Sequence, residues 1–227
     1  MFYDPMYFLF ILPGLLISLW AQYKVKSTFA KYEKDPTWQG ITGAQAARRI
    51  LDMNGLQNVA IERVSGKLTD HYDPKGNVVR LSGSVYGNAT TGAVGVAAHE
   101  CGHAIQHAQN YLPSKLRSAI VPMCNIGSSI SMPLILLGFV LDAANLIYMG
   151  IFLFSLVVLF QLVTLPVEFN ASKRAIETLG SSGMVTPEES AGVRKVLTAA
   201  ALTYVAALLT SVMQLLYYVT AAQRRRR

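Results

Sequence analysis

Residues 96–109 read Val-Ala-Ala-His-Glu-Cys-Gly-His-Ala-Ile-Gln-His-Ala-Gln and contain a His-Glu-x-x-His motif from His99 to His103. Small apolar residues precede the motif, and the threonines at 90–91 are suitable N-caps, so this stretch is predicted to be a helix. Residues four apart lie on one helical face, where two imidazoles can bind one metal ion. Glu100 is rotated about 100° from His99 and can reach a water on that ion without being a ligand. The motif is typical of zinc hydrolases, in which the glutamate transfers protons.

The alternative interpretation of the motif is a helical histidine pair that binds no metal. Against it, three of the four histidines in the chain fall in this one helix, namely His99, His103 and His107. Three ligands in line on one straight helix cannot surround a tetrahedral ion, so His107 is not assigned to the metal. His71 lies in a predicted strand and is interpreted as structural.

A catalytic zinc ion needs a third protein ligand beyond the two histidines. The three-histidine class of these enzymes carries a glycine and a further histidine three and six residues after the second histidine, where this chain has Gln106 and Gln109. We therefore expect a carboxylate from a second helix. Glu168 is the best candidate, because it follows a long uncharged apolar run where an isolated carboxylate would be costly. An ordinary glutamate at a membrane edge is the alternative.

Four segments resemble the bacterial YugP-type membrane zinc metallopeptidases. They are His-Glu-x-Gly-His-Ala-Ile-Gln at 99–106, Leu-Thr-Asp-His-Tyr-Asp-Pro-Lys at 68–75, Val-Arg-Leu-Ser at 79–82 and Glu-Phe-Asn-Ala-Ser at 168–172. The resemblance covers nearly the whole chain. More distantly, the site is similar to the HtpX-type membrane proteases, whose third ligand is the glutamate of a Glu-Phe-x-Ala-Asp helix. This resemblance implies that Glu168 is a zinc ligand and that Ser172 stands where that wider group has an aspartate orienting the first histidine.

The composition is too apolar for an ordinary soluble domain, with 52% hydrophobic residues, 15% charged residues and a mean hydropathy of +0.34. Lysines follow the first apolar segment, about 7–22, and no basic residue precedes it, so we expect an uncleaved transmembrane helix and not a signal peptide. Two further spans, 119–141 and 146–165, form a hairpin, and a fourth covers 198–222. The hairpin returns Glu168 to the side of the membrane that holds the zinc motif.

We therefore predict a mainly α membrane protein with about four transmembrane helices and a small α+β zincin-like metalloprotease domain at the membrane surface. The expected divisions are the first transmembrane helix (1–23), the zincin-like domain (24–117), the transmembrane hairpin (118–166), the third-ligand helix with a connector (167–197), and the last transmembrane helix with a basic tail (198–227).

Within the zincin-like domain, a helix is expected from the capping box at Thr42 to Asn54, followed by strands at 59–64, 68–72 and 78–81. We expect these strands to form a small antiparallel sheet. The segment 78–84 is the candidate edge strand, because extended substrates of such enzymes pair with an exposed edge. An internal strand is the alternative for this segment.

The net charge of +7 comes from basic residues that flank the spans and form no separate nucleic-acid module. This pattern indicates contact with anionic lipid and not with nucleic acid. Ten lysines and arginines near the span ends on the catalytic side outnumber the four arginines at 224–227. By the positive-inside rule, the catalytic domain faces the cytosol, in a bacterial plasma membrane, although the terminal arginines argue for the opposite orientation.

From these observations we expect a membrane-embedded zinc-dependent endopeptidase that hydrolyses membrane-associated or unfolded polypeptides. Its cofactor is Zn²⁺, its expected ligands are His99, His103 and Glu168, and its general base is Glu100. The alternative is a non-catalytic zinc-binding membrane scaffold or partner subunit. Glu100 favours the enzyme, because a scaffold needs only the ligands. Cys101, inside the motif, is interpreted as a buried filler, and the oligomeric state is not predicted.

Overall fold

A computed structural model describes residues 5–225 of the chain. Residues 1–4 of the predicted first transmembrane helix (1–23) and the last two arginines of the predicted basic tail lie outside the described residues. The described chain divides into two compact units. One unit, called the metal-site unit below, comprises Tyr23–Ser114 and Val167–Leu202, and the other comprises the remaining described residues.

The described elements are seven helices and three strands. In chain order they are α1 (Pro5–Tyr32), α2 (Gly43–Met53), β1 (Ala60–Val64), β2 (His71–Asp73), β3 (Val78–Ser82), α3 (Gly83–Tyr86), α4 (Thr91–Ala108), α5 (Leu112–Val140), α6 (Ala144–Ser181) and α7 (Pro187–Arg224). Four of these helices, α1, α5, α6 and α7, are long and apolar enough to cross a membrane. The predicted mainly α membrane protein with four spans is confirmed.

The long helices extend beyond the predicted spans. In particular, α6 continues from the apolar segment 146–165 through Pro166 to Ser181, so the third-ligand helix is not a separate element. Proline removes one backbone hydrogen bond, but no capping residue follows it before Glu168 to start a new helix. In the same way, α7 joins the predicted connector to the last span. Glu168 therefore lies on a continuous 38-residue helix.

The predicted hairpin is present in the second unit. Between α5 and α6 the chain turns through residues 141–143, with Asp142 at φ 55°. The helices then pack with their backbones close together, since a Cβ at Gly150 would lie 2.8 Å from the Ser131 carbonyl oxygen. Glycine at this position permits the close approach.

The sheet of the metal-site unit has the order β1-β3-β2, with β1 parallel to β3 and β2 antiparallel to it. The prediction of an antiparallel sheet is wrong for the first pair. The prediction of 78–84 as an edge strand is also wrong, because β3 is the central strand. Its apolar residues Val78, Val79 and Leu81 are all buried. A continuous apolar run of this kind is typical of a strand covered on both faces.

Helix α4 lies in the core of the metal-site unit. Its N-cap is Thr90, whose hydroxyl accepts a hydrogen bond from the Ala93 amide at 3.3 Å. Helix α2, which begins at the predicted Thr42 capping box, packs its buried face against the same core. These contacts fix α4, and with it the His-Glu-x-x-His motif, against a rigid scaffold.

Candidate metal centre

The metal-site unit brings together the two motif histidines and Glu168. The Nε2 atoms of His99 and His103 lie 3.3 and 3.6 Å from the same carboxylate oxygen, Oε2 of Glu168. One possible ligand atom from each of the three residues lies within 4.8 Å of the others. All three side chains are largely buried, with 14, 16 and 3% of their surface exposed. The residues that the sequence singled out as ligands are therefore neighbours in space.

A glycine lets α4 and α6 approach closely enough for this arrangement. A Cβ at Gly102 would lie 2.6 Å from the Ala171 carbonyl oxygen, which is shorter than any ordinary contact. The two backbones therefore touch one residue before His103 on α4 and three residues after Glu168 on α6. A larger residue at this position would separate the histidines from the carboxylate.

The donor atoms fit a zinc ion. The Nδ1 atom of His99 lies 3.1 Å from the Ser172 hydroxyl, and the Nδ1 atom of His103 lies 3.1 Å from Oε1 of Gln106. Both rings are thus held from their Nδ1 side, and both Nε2 atoms face the Glu168 carboxylate. Two imidazole nitrogens and one carboxylate oxygen form a common ligand set of catalytic zinc. Hydrogen bonding of the second ring nitrogen is usual for histidine ligands.

Gln106 contacts the candidate site through His103, a contact that the sequence did not reveal. It is completely buried, and its Nε2 donates to the Val167 carbonyl at 2.8 Å and to Oδ1 of Asn170 at 2.9 Å. These two bonds orient the amide so that its oxygen faces His103. Because that oxygen can only accept, the imidazole proton lies on Nδ1 of His103 and the lone pair lies on Nε2. The sequence showed only that Gln106 replaces a glycine of the three-histidine class.

The hydrogen bonds of Gln106 are part of a longer chain that extends through Asn170 to the protein surface. Oδ1 of Asn170 also accepts a hydrogen bond from Nε of Arg174 at 2.7 Å, and Nη1 of Arg174 donates to Oε1 of Gln109 at 2.7 Å. This chain of bonds connects α4 with the α6 turn that carries Glu168. It therefore holds His103 and Glu168 in register with each other.

Replacing Gln106 by leucine is expected to lower zinc affinity about 10- to 100-fold, the usual cost of losing an outer partner of a histidine ligand. The variant leaves the His103 ring without its Nδ1 partner, so its tautomer is no longer fixed. Competition with a chromophoric chelator measures the affinity. Gln57→Leu is the matched control and should bind zinc like the wild type, because the exposed Gln57 side chain donates to the Asp52 carbonyl of α2 and takes no part in the bonds around His103. Equal affinities of the two variants would contradict the positioning role.

Electrostatics couple the carboxylate to the histidines. Burial alone would raise the pKa of Glu168, but hydrogen bonds and charge from His103 and His99 outweigh it and hold that pKa well below its usual range. Burial alone would lower the pKa of His103, but Glu168 and Glu100 raise it above its ordinary value of 6.5. In the absence of metal, each group therefore stabilises the charged form of the other. A cation at this position replaces a histidine proton.

Glu100, the predicted general base, is also on α4 and is 8% exposed. Within residues 5–225, no side chain forms a hydrogen bond or ion pair with its carboxylate. It is not a member of the His99, His103 and Glu168 group. Its carboxylate is therefore not one of the three possible ligands, and its role as a base stays a prediction.

The remaining candidates have other partners. His107 is exposed and bonds through Nδ1 to the Tyr72 hydroxyl at 2.9 Å, and His71 is exposed with Nδ1 2.9 Å from the Thr69 carbonyl oxygen. Cys101 is fully buried, and its thiol donates to the Ala47 carbonyl at 3.6 Å. Burial raises the pKa of this thiol, so it stays protonated and is unsuited to bind zinc.

Two comparisons with known proteins show what the chain is similar to. The model of a family described as "Putative neutral zinc metallopeptidase" matches residues 7–223. The chain is 53% identical over 215 residues to the "Putative membrane protease YugP" of Bacillus subtilis (strain 168). This match covers 94% of the present chain and 96% of the relative. No solved structure matches the chain.

Proposed function

Because this chain belongs to the neutral zinc metallopeptidase family, we propose that it hydrolyses peptide bonds of membrane-associated or unfolded polypeptides. Its cofactor is Zn²⁺, and its apolar helices make it an integral membrane protein. The observation that carries the proposal is the convergence of His99, His103 and Glu168 within 4.8 Å beside Glu100 on the motif helix.

The proposed roles follow from the donor atoms. His99 and His103 bind the metal through Nε2, and Glu168 binds it through its carboxylate. When bound, zinc lowers the pKa of a water to about 7 and polarises the scissile carbonyl. Glu100 would accept a proton from the attacking water and pass it to the leaving amine.

Ser172 and Gln106 are not proposed ligands, but each forms a hydrogen bond with one of the two ligand histidines. The Ser172 hydroxyl holds Nδ1 of His99, in the place where the distantly similar proteases have an aspartate. A neutral hydroxyl makes the His99 ring less basic than a carboxylate would. Gln106 holds Nδ1 of His103 and keeps its Nε2 lone pair directed at the metal.

The proposed substrate is an extended polypeptide. Strands β1 and β2 form the edges of the sheet, and β2 contacts α4 through the Tyr72 hydroxyl and His107. A substrate that pairs with β2 is held by main-chain hydrogen bonds, which do not demand a particular sequence. Glu168 comes only three residues after the apolar segment 146–165, and this short spacing in the sequence favours substrates that emerge from a membrane. A compact soluble protein must first unfold.

Purified protein in detergent is expected to cleave an unfolded casein-like substrate and to lose this activity when zinc is removed by a chelator. One equivalent of zinc should restore it, because three protein ligands and one open position hold a single catalytic ion. Cleavage is followed by peptide release, with a compact soluble protein as the comparison substrate. Activity that survives complete removal of zinc, or equal cleavage of the compact protein, would contradict the proposed function.

We also propose that the catalytic domain faces the cytosol. The side is tested at Lys75, which is exposed in the turn between β2 and β3. In Lys75→Cys, an impermeant thiol reagent should label opened cells and leave intact cells unlabelled. The wild type provides the background, since Cys101 and Cys124 are both buried. Labelling of intact cells would instead place the domain outside and make the terminal arginines the better guide to orientation.

A further inference from the structure

A cavity separate from the candidate metal centre lies between α1 and α7, within the metal-site unit. Its volume is about 430 Å³, which is in the range of small-molecule sites. Four cationic side chains and several apolar ones line it, including Lys24, Lys31, Arg194, Lys195, Ala199 and Leu202. None of these residues belongs to the proposed metal centre.

Close packing of the two helices forms one end of this cavity. A Cβ at Gly192 of α7 would lie 2.8 Å from Cε1 of Tyr32, the last residue of α1. The aromatic ring thus lies directly against the α7 backbone, and the cavity opens beyond it. Tyr32 is also part of the cavity wall. The cavity therefore adjoins the point at which these two helices touch.

The four cations are not neutralised by acidic neighbours. In the described part of the chain, no carboxylate lies within ion-pair distance of Lys24, Lys31, Arg194 or Lys195. The one interaction of their charged groups that the structure shows is the Nζ atom of Lys31, 5.6 Å from the centre of its neighbouring Tyr32 ring. Four positive charges around one cavity attract an anion.

The sequence places this cavity at a membrane boundary on both helices. In α1, residues 5–23 are uncharged and Lys24 follows directly. In α7, Lys195 is the last charged residue before the uncharged stretch 196–223. The cations thus lie at or beyond the ends of the two apolar stretches, where headgroups of a membrane are expected, while Ala199 and Leu202 lie within the apolar stretch of α7. A ligand that contacts both the cationic and the apolar residues of the cavity wall must be amphipathic, with an anionic group and an apolar chain.

We propose that this cavity binds the phosphate headgroup of one anionic phospholipid. Lys31, Arg194 and Lys195 contact the phosphate, and an acyl chain follows the α7 surface from Ala199 to Leu202. Phosphate is a favoured partner of arginine and lysine, because charged donors bond its oxygens strongly. The site is independent of the metal and of the proposed hydrolysis.

Native mass spectrometry of protein released from membranes containing phosphatidylglycerol and phosphatidylcholine tests this site. The wild type should retain about one phosphatidylglycerol per chain and no phosphatidylcholine. The double variant Lys31→Gln/Lys195→Gln should retain at least about tenfold less phosphatidylglycerol, since each lysine near a membrane surface contributes to lipid attraction. It should still bind zinc, which shows that the metal-site unit remains folded.

The matched control is Lys26→Gln/Lys34→Gln, which removes the same charge from two exposed lysines near α1 that do not line the cavity. It should retain the lipid like the wild type. Equal loss in both double variants would overturn the site in favour of diffuse charge attraction. Equal retention of phosphatidylcholine would overturn the need for an anionic lipid. Binding of inorganic phosphate alone, with the same dependence on Lys31 and Lys195, would overturn the lipid as the ligand.

Discussion

Glu100→Gln is expected to abolish peptide hydrolysis while zinc stays bound. Glutamine has the size and shape of glutamate, so the buried position on α4 accommodates it without a cavity or a clash. A neutral amide cannot accept the proton of a water, and the loss of a general base typically costs about 10²- to 10⁴-fold in rate. Zinc content should not change, because Glu100 is outside the His99, His103 and Glu168 group.

The test measures zinc content and cleavage of an unfolded substrate in the same preparation of the variant. Cleavage at the wild-type rate would show that Glu100 is not the base. Loss of cleavage together with loss of zinc would instead make Glu100 a ligand. If the zinc-loaded wild type also failed to cleave any unfolded or membrane-tethered polypeptide, the non-catalytic scaffold would become the better account.

Glu168→Gln is expected to lose zinc as well as activity. The Glu168 carboxylate lies within 3.6 Å of both Nε2 atoms and supplies the only negative charge of the proposed ligand set. Its pKa lies below the usual range, so it is ionised at neutral pH and available to a cation. Because losing even an outer partner of a ligand costs about 10- to 100-fold in affinity, losing the ligand itself should cost more than about 100-fold.

Glu177→Gln is the matched control for this substitution. Glu177 is on the same helix, but its side chain is 63% exposed and is paired only with Lys173 at 3.7 Å. This variant should keep both zinc and activity. Full zinc retention in Glu168→Gln would remove Glu168 from the ligand set, whatever happened to the rate. The two glutamate variants are therefore distinguished by zinc content: retained in Glu100→Gln and lost in Glu168→Gln.

The parts of the site that depend on local sequence could be predicted. The Thr90 cap and the four-residue spacing of the histidines are sufficient to predict α4 and its metal-facing side. The resemblance to YugP-type proteins is confirmed by the comparisons. Glu168 could be named because a carboxylate after a long apolar run needs a partner. Its proximity to the histidines, which are 69 and 65 residues earlier, required the structure.

Contacts between distant segments could not be predicted. Gln106 acquires its role only because the Val167 carbonyl and Asn170, about 60 residues later, orient its amide. The need for glycine at position 102 could not be predicted either, since the group that it approaches is the backbone of Ala171 on another helix. The prediction of β3 as the edge strand is wrong, although its apolar run is typical of a strand covered on both faces. In each case the deciding neighbour is remote in sequence.

An anomalous difference map from crystals of the purified protein, measured at the zinc absorption edge, tests the central claim most directly. We expect one peak per chain, about 2.0–2.2 Å from Nε2 of His99, Nε2 of His103 and a carboxylate oxygen of Glu168. The Nδ1 atoms should remain bonded to Ser172 and Gln106. A peak bound by other side chains, such as His107 or Cys101, or zinc-loaded crystals with no peak beside Glu168, would contradict the proposed metal centre.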